Sequence, residues 1–342
     1  MTRLSFHAYA AAARAETFAV MQGWLREETL GLPAVMRTCM ADYPARGGKA
    51  LRPLLLRLFG EGLGASPERC ARLGAACELF ENWALACDDI MDDSLLRRGK
   101  PAIHRLYGRE TAMNSMAALT AIMPRLLYRS CGLPPRLYGP VLEQFYDSTL
   151  EALGGQHLEL SWRARPLAEF GARAYFAIAS AKTASYTTVG TARLGAILAG
   201  RRDLFPAVDR FGLALGKAFQ LMDDILDVES EGGGAFGKAL GNDLLEGKKT
   251  LLAALALKKM KGAERRRFEV FYEPGRARPR KEALWAREAI LRSGAAAACR
   301  RRAAELSGEA LSVLRADLVP AMKEPFREYI LGFVMLLKER AA

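Results

Sequence analysis

Two short acidic runs carry most of the chemistry in this sequence. Asp88-Asp89-Ile90-Met91-Asp92 and Asp223-Asp224-Ile225-Leu226-Asp227 share the pattern Asp-Asp-apolar-apolar-Asp, 135 positions apart. On a helix, residues four apart lie about 40° apart around the axis and adjacent ones about 100°. Asp88, Asp89 and Asp92 therefore share one face, and Asp223, Asp224 and Asp227 share another. Surface acids at helix ends are common, but both runs sit among apolar residues, with "NWALAC" leading into the first. Carboxylates crowded at a half-buried site repel one another and raise each other's pKa unless a cation neutralises them. Two such sets facing each other would make an all-oxygen cage, which suits Mg2+ bridging to a phosphate.

Cations stand in the same neighbourhoods. "GGKALRP" supplies Lys49 and Arg52, and "LRRGKP" supplies Arg97 and Arg98. "AKTAS" supplies Lys182 beside Thr183, and "FGKALGNDLLEGKKT" supplies Lys238 and Lys248. Arginine forks and lysine ammonium groups converging on a magnesium cage fit a polyanion, most simply a diphosphate. "GGGAFGKA" comes close to the phosphate-loop pattern but ends on Ala239, which has no hydroxyl to offer a metal. It also follows a helical acidic segment rather than a strand, so a nucleotide hydrolase is rejected. Its glycines are expected to form a mobile loop carrying Lys238.

Helices must position these groups. Alanine, leucine and arginine dominate the 342 residues, 51% of which are hydrophobic, and β-branched residues are sparse. Segments such as "LGAACELFENWAL" and "YFAIASAKTASYTTVGTARLGAILAG" show helical spacing of apolar positions, and nothing alternates as a strand would. Gly/Pro clusters at "YPARGGKALRP", "CGLPPRLYGP" and "FYEPGRARPRK" punctuate the helices. With no flexible linker and no fixed-period repeat, the expectation is an all-α chain forming a single domain over residues 1–342. The formal charge of +12 suits an anionic ligand. The basic runs between Lys258 and Arg302 lack interleaved aromatics and read as a solvated face rather than a nucleic-acid site, leaving a peripheral membrane contact open. Six cysteines without a CxxC spacing point to a reduced compartment and no zinc. No stretch is long enough for a transmembrane segment and no full signal core opens the chain, so a cytoplasmic location is expected.

Taken together, "GGKALRP", "DDIMDDSLLRRGKPAIH", "GQHLEL", "AKTAS", "GKAFQLMDDILDV" and "GKALGNDLLEGKKT" resemble, in order and spacing, the trans-isoprenyl diphosphate synthases. The resemblance runs from about Gly47 to Thr250; beyond that the chain matches only as generic helix. It implies a helical bundle around a deep central cavity, a homodimer, and Mg2+ as cofactor, with three ions once the allylic diphosphate is bound. It also implies a reaction in which an allylic diphosphate ionises and isopentenyl diphosphate attacks the carbocation. By that resemblance Asp88, Asp89, Asp92, Asp223 and Asp227 hold the metals and Asp224 supports them. Arg97, Lys182 with Thr183, Gln220, Lys238 and Lys248 face the allylic diphosphate, while Lys49, Arg52 and Arg98 hold isopentenyl diphosphate without a metal.

The sequence departs from the family pattern at the isopentenyl side. Seven residues before the first aspartate the family usually has histidine; here it is Glu81. Two helical turns bring Glu81 back to the face of Asp88, where its carboxylate repels a diphosphate unless protonated or paired. The expectation is a pair with Arg52 or Lys49 that weakens isopentenyl diphosphate binding without abolishing it. Cys87 replaces a second common histidine, and "AMNSMAALTA" lacks the usual Gly-Asp pair. A terpene synthase acting on one allylic diphosphate is the first alternative, and the presence of Lys49, Arg52 and Arg98 argues against it. A non-catalytic regulatory subunit is the second, and two intact aspartate sets argue against that. Product length in this family is set by bulk one turn before the first aspartates, here Trp83 and Ala84. One large and one small residue resembles the C20 makers, with C15 as the neighbouring outcome. His104 reads as a structural hydrogen-bonder, Phe145 and Tyr146 as core, and the C-terminal "EYILGFVMLLKER" as an amphipathic helix for core or dimer packing.

Overall fold

The segments between the Gly/Pro breaks are helical in the structure, a computed structural model that describes residues 5–229 and 242–339. The chain runs through α1 (Phe6–Glu28), α2 (Ala34–Ala45), α3 (Leu51–Gly62) and α4 (Pro67–Asp92). A short hairpin of β1 (Leu96–Arg97) and β2 (Lys100–Pro101) follows, then α5 (Ile103–Tyr107), α6 (Arg109–Arg129) and α7 (Pro135–Arg163). Next come α8 (Ala172–Ile178), a π-helical stretch over Ala179–Val189, α9 (Gly190–Leu198) and α10 (Phe205–Glu229). The remainder is α11 (Asn242–Glu246), α12 (Leu251–Lys259), α13 (Gly262–Phe271), α14 (Arg280–Arg292), α15 (Ala295–Val313) and α16 (Phe326–Glu339). None of the helices among the described residues is long and apolar enough to cross a membrane.

The helices pack as two compact units whose segments alternate along the chain. The first takes residues up to 146, 190–208 and 315–333, and the second takes 147–189, 209–314 and 334 onward. Three of the boundaries fall inside α7, α10 and α16. A boundary inside a continuous helix leaves no Pro/Gly-rich linker, so the sequence gives no sign of this division.

In the first unit α3 is the central helix, buried along its whole length and flanked by α4 and α9. Leu55, Leu56, Leu58 and Phe59 are at most 1% exposed. A Cβ at Gly195 would stand 2.6 Å from the Leu56 carbonyl oxygen, so glycine lets α9 lie directly on the α3 backbone. The charged residues that α3 buries are matched: Arg57 contacts Glu61 at 2.6 Å and Glu16 at 2.5 Å. The apolar face of α16 is core, as its pattern led us to expect. Phe326, Tyr329, Ile330 and Phe333 are buried, and Tyr329 stacks on Tyr9 of α1 at 5.1 Å.

In the second unit the core gathers Leu252, Ile225, Phe268, Phe271, Tyr272 and Ile290. The π-helical stretch lies here. A Cβ at Gly155 of α7 would collide with the backbone of Lys182, and one at Gly216 of α10 with Ala184. Two helices thus approach the wide turns through glycine, an arrangement common where a helix carries function. Helical periodicity marked this segment as helix but does not separate α from π winding.

Candidate active site

The first acidic run closes α4. Asp93, in the left-handed region at φ 53°, ends the helix and turns the chain toward the hairpin. Arg98 (φ 52°) and Gly99 (φ 75°) make the two-residue turn between β1 and β2, both with the positive φ that a type I′ hairpin turn demands. Glycine accepts that conformation readily and arginine does not, so something must hold Arg98 there. Its Nη1 donates to the Tyr43 carbonyl oxygen at 2.8 Å and to Asn82 Oδ1 at 3.1 Å. From α2, Arg46 pins the hairpin by donating to the carbonyl oxygens of Arg97 (2.7 Å) and Pro101 (2.8 Å).

The hairpin exists to deliver Arg97 to Asp89. Asp89 is fully buried, and both its oxygens are engaged by protein donors. Arg97 Nη2 donates to Oδ1, Arg97 Nε donates to Oδ2 at 2.9 Å, and the Tyr43 hydroxyl donates to Oδ2 at 2.5 Å. Burial and the Asp89 charge push the Tyr43 phenol well above its ordinary range. Asp88 and Asp92, on the same face, are only partly buried. The three aspartates of this run, all expected as metal ligands, thus differ in burial and in the partners of Asp89. Asp89 is an internal anchor, and Arg97, expected on the diphosphate, is bound to that anchor.

Glu81 lies where the repulsion argument placed it, against a cation: Arg52 Nη1 is 3.0 Å from Glu81 Oε1. One turn earlier is a residue the sequence reading did not single out. Glu78 is 2% exposed, and its Oε2 has no hydrogen-bond partner among the described residues. Burial first, and the Glu81 charge second, push its carboxyl up to about 7, against the pull of Arg52, Arg98 and Arg14. The available signal was the i,i+3 spacing of two glutamates inside an apolar run, "ELFE". Lys49, preceding α3, completes the basic set on this side and is partly buried. Cys87 is inert here, since burial pushes its thiol up to about 12.

The second acidic run, in α10, repeats the logic with different residues. Asp224 is buried and accepts from the Tyr175 hydroxyl at 2.7 Å and from Gln220 Nε2 at 2.7 Å. Thr183 in the π-helical stretch donates to Gln220 Oε1 at 2.6 Å, so the chain Thr183–Gln220–Asp224–Tyr175 is continuous. Burial, reinforced by Asp243, holds the Asp224 carboxyl well above its usual range. Asp223 is exposed and Asp227 half-buried, with Asp227 Oδ2 accepting from the Asp243 backbone N–H at 3.3 Å. Lys182 meets both oxygens of Glu159 at 3.1 Å, and Lys248 lies 2.9 Å from Glu246 and 3.4 Å from Asp243. Lys249 donates to the carbonyl oxygens of Trp162 and Arg163, tying the turn before α12 to the end of α7. Burial and its cationic neighbours pull its ammonium down to about 8. Gln156 is buried, and neither atom of its amide has a partner among the described residues. Lys238 and the "GGGAFGKA" run lie outside the described residues.

Among the described residues no group of three or more His, Cys, Asp or Glu side chains is placed to hold an ion unaided. The oxygen chemistry of each aspartate run, taken by itself, suits Mg2+, which is usually bound through one or two carboxylates plus water and substrate phosphates rather than a closed protein cage.

Trp83 is half-buried in an aromatic group of the first unit, with Phe80 at 5.3 Å and Phe145 beyond it at 5.7 Å from Phe80. Tyr146 follows at 5.5 Å from Phe145, and Ala84 is also half-buried. His104 is buried, but neither ring nitrogen makes a hydrogen bond among the described residues; Nε2 lies 3.5 Å from Asp93. The hydrogen-bonding part expected of it goes instead to Arg105, which reaches Asp93 at 2.6 Å.

Comparison with known proteins agrees with these features. The sequence model of the family described as Polyprenyl synthetase matches residues 33–289. A short chain isoprenyl diphosphate synthase of Methanothermobacter thermautotrophicus is 33% identical over 65% of this chain and 66% of its own length. A geranylgeranyl pyrophosphate synthase of Geoglobus acetivorans is 30% identical over 87% of this chain and 88% of its own. Among solved structures, a polyprenyl synthase from Caulobacter crescentus CB15, complexed with calcium and isoprenyl diphosphate, superposes with a TM-score of 0.83. It is 27% identical and covers 100% of both chains.

Proposed function

The chain belongs to the polyprenyl synthetase family, and from that premise we propose that it is a prenyltransferase joining isopentenyl diphosphate head-to-tail to an allylic diphosphate. The product is a short-chain trans-prenyl diphosphate, C20 first and C15 second. The observation that carries the reading is the division of labour within both aspartate runs. In each, one carboxylate is buried and fixed by protein donors, Asp89 by Arg97 and Tyr43, Asp224 by Tyr175 and Gln220. In this reading Asp88 and Asp92 of the first run, and Asp223 and Asp227 of the second, offer carboxylate oxygens to Mg2+. A relative that binds a divalent cation together with isoprenyl diphosphate supports that choice.

Mg2+ bound there would supply positive charge to the diphosphate as its bond to carbon breaks. The chain's own contribution is positioning and charge. In this reading Lys182, Thr183, Gln220 and Lys248 orient the allylic diphosphate, with Lys238 joining them by its motif. Preorganised cations of this kind stabilise charge that develops on a leaving pyrophosphate more than charge already present in the bound substrate. Lys49, Arg52 and Arg98 receive isopentenyl diphosphate, and Glu81 competes with it for Arg52. Arg97 acts through Asp89 as a positioning residue. Trp83 and Ala84 set the length of the growing chain, and the active form is a homodimer.

The test is incubation with Mg2+ and each allylic diphosphate, with and without isopentenyl diphosphate. Longer diphosphates formed only when both substrates are present support the reading. Hydrocarbon or alcohol from one allylic diphosphate alone would replace it with a terpene synthase, and absence of turnover with every pair would leave a regulatory subunit.

A further inference from the structure

We propose that Glu78 takes up a proton as isopentenyl diphosphate binds at Lys49, Arg52 and Arg98, so that the Glu78–Glu81 pair sets both the affinity and the pH range of that subsite. The inference rests on the synthase reading above and deepens it.

Geometry carries it. Glu78 and Glu81 are one turn apart on α4, and both are at least nine-tenths buried. Glu81 already holds Arg52 at 3.0 Å. A Cβ at Gly48 would stand 3.2 Å from Glu78 Oε1 and 3.1 Å from Arg98 Nη2, so the carboxyl and the guanidinium meet over the same glycine. Glu78 Oε2 is buried with no hydrogen-bond partner among the described residues, an acceptor position that a proton can fill.

The charges facing Glu78 come from every side. They are Arg14 of α1, which donates to the Gly48 carbonyl oxygen at 2.6 Å, Arg52 of α3, Arg98 of the hairpin, and Glu81 of its own helix. Cys77 is its neighbour on α4, and Arg97 and Arg46 stand behind Arg98. In this balance the Glu78 carboxyl is raised to about 7, so it is poised to change charge near neutrality. An incoming diphosphate adds negative charge beside two carboxylates and draws the arginines toward itself. Both changes favour the neutral form of Glu78 in the complex. Binding then consumes a proton, and affinity falls about tenfold per pH unit once Glu78 is ionised in the unliganded protein. The family's usual histidine at position 81 would make no such demand, because it adds no negative charge there.

The experiment is calorimetric titration of the wild-type chain with isopentenyl diphosphate, without metal, in two buffers of different ionisation enthalpy. Expected at pH 8 is uptake of about one proton per ligand, with Kd rising about tenfold from pH 7.5 to 8.5. Glu78→Gln should bind more tightly at pH 8.5 and lose the uptake, which also accounts for protons carried by the ligand itself. Glu81→Gln is a second variant that should lessen the pH dependence should the first fail to fold. Binding without proton uptake, or an unchanged slope in Glu78→Gln, overturns the inference and leaves the synthase reading standing if turnover with both substrates is seen. No binding at any pH together with no turnover overturns both.

Discussion

Replacing Asp89 by asparagine removes a charge from the centre of a buried pair, whereas Asp88→Asn and Asp92→Asn alter carboxylates at partly exposed positions on the same helix face. The consequences should differ in kind. Asp89 has no exposed surface and accepts two guanidinium N–H groups and one phenol O–H. Removing one partner of a buried ion pair costs about 3–5 kcal/mol, because the other charge stays buried without compensation. Asparagine retains one acceptor oxygen, which places Asp89→Asn near the lower end, at about 3 kcal/mol. At 1.4 kcal/mol per decade this lowers the folded-to-unfolded ratio by about two orders of magnitude. Asp88→Asn and Asp92→Asn should cost less, about 1 kcal/mol or below, because both positions are partly exposed. Urea unfolding followed by circular dichroism, without metal, reads the stability. Calorimetry of Mg2+ with inorganic pyrophosphate reads the metal site. The expected pattern is the largest fall in midpoint for Asp89→Asn, and loss of Mg2+-dependent pyrophosphate binding of tenfold or more with a smaller change in midpoint for Asp88→Asn and Asp92→Asn. Equal stability of all three variants with equal loss of metal binding would refute the reasoning and restore three equivalent ligands.

Other expectations follow from single contacts. Glu78 is more basic in the folded chain, at about 7, than in the unfolded one, so the stability it contributes is complete below about pH 4.5 and is lost as pH rises through 7. That linkage is worth roughly 3 kcal/mol, so Glu78→Gln should gain on wild type by that order between pH 5 and 8 in urea midpoints. Tyr175→Phe removes one of two donors to buried Asp224 and should cost about 1.5–3 kcal/mol, with a drop in kcat larger than any change in KM for isopentenyl diphosphate. Gly155→Ala puts a methyl group into the backbone of Lys182; the variant should be markedly less stable in thermal unfolding and should bind allylic diphosphate poorly. Trp83→Ala should lengthen the product by one or more C5 units in chromatography of the reaction, and an unchanged product would remove Trp83 from length control.

Legibility followed the range of the forces involved. Helical periodicity and Gly/Pro breaks are local, so the helices could be read directly, including α16 with its buried Phe326, Tyr329 and Phe333. The β1–β2 hairpin could not, since two residues per strand show no alternation, and its turn carries an arginine where such turns prefer glycine or asparagine. The pairing of Glu81 with Arg52 could be anticipated because a carboxylate expected beside a diphosphate needs a cation. The part played by Glu78 could not, since it depends on how Gly48 brings Arg98 up to it.

By itself the sequence determined the all-helical chain, the two aspartate runs with each set on one helix face, and the basic residues that accompany them, because all of these follow from composition and from spacing along one helix. Only tertiary structure decided which aspartate in each run is an anchor. Asp88, Asp89 and Asp92 are alike in type and spacing, and what separates them is a hairpin 8 residues on that carries Arg97 back to one of the three, with Tyr43 arriving from a helix 46 residues earlier. Burial and hydrogen-bond partners are properties of the packed chain, and they separate side chains that the sequence leaves alike.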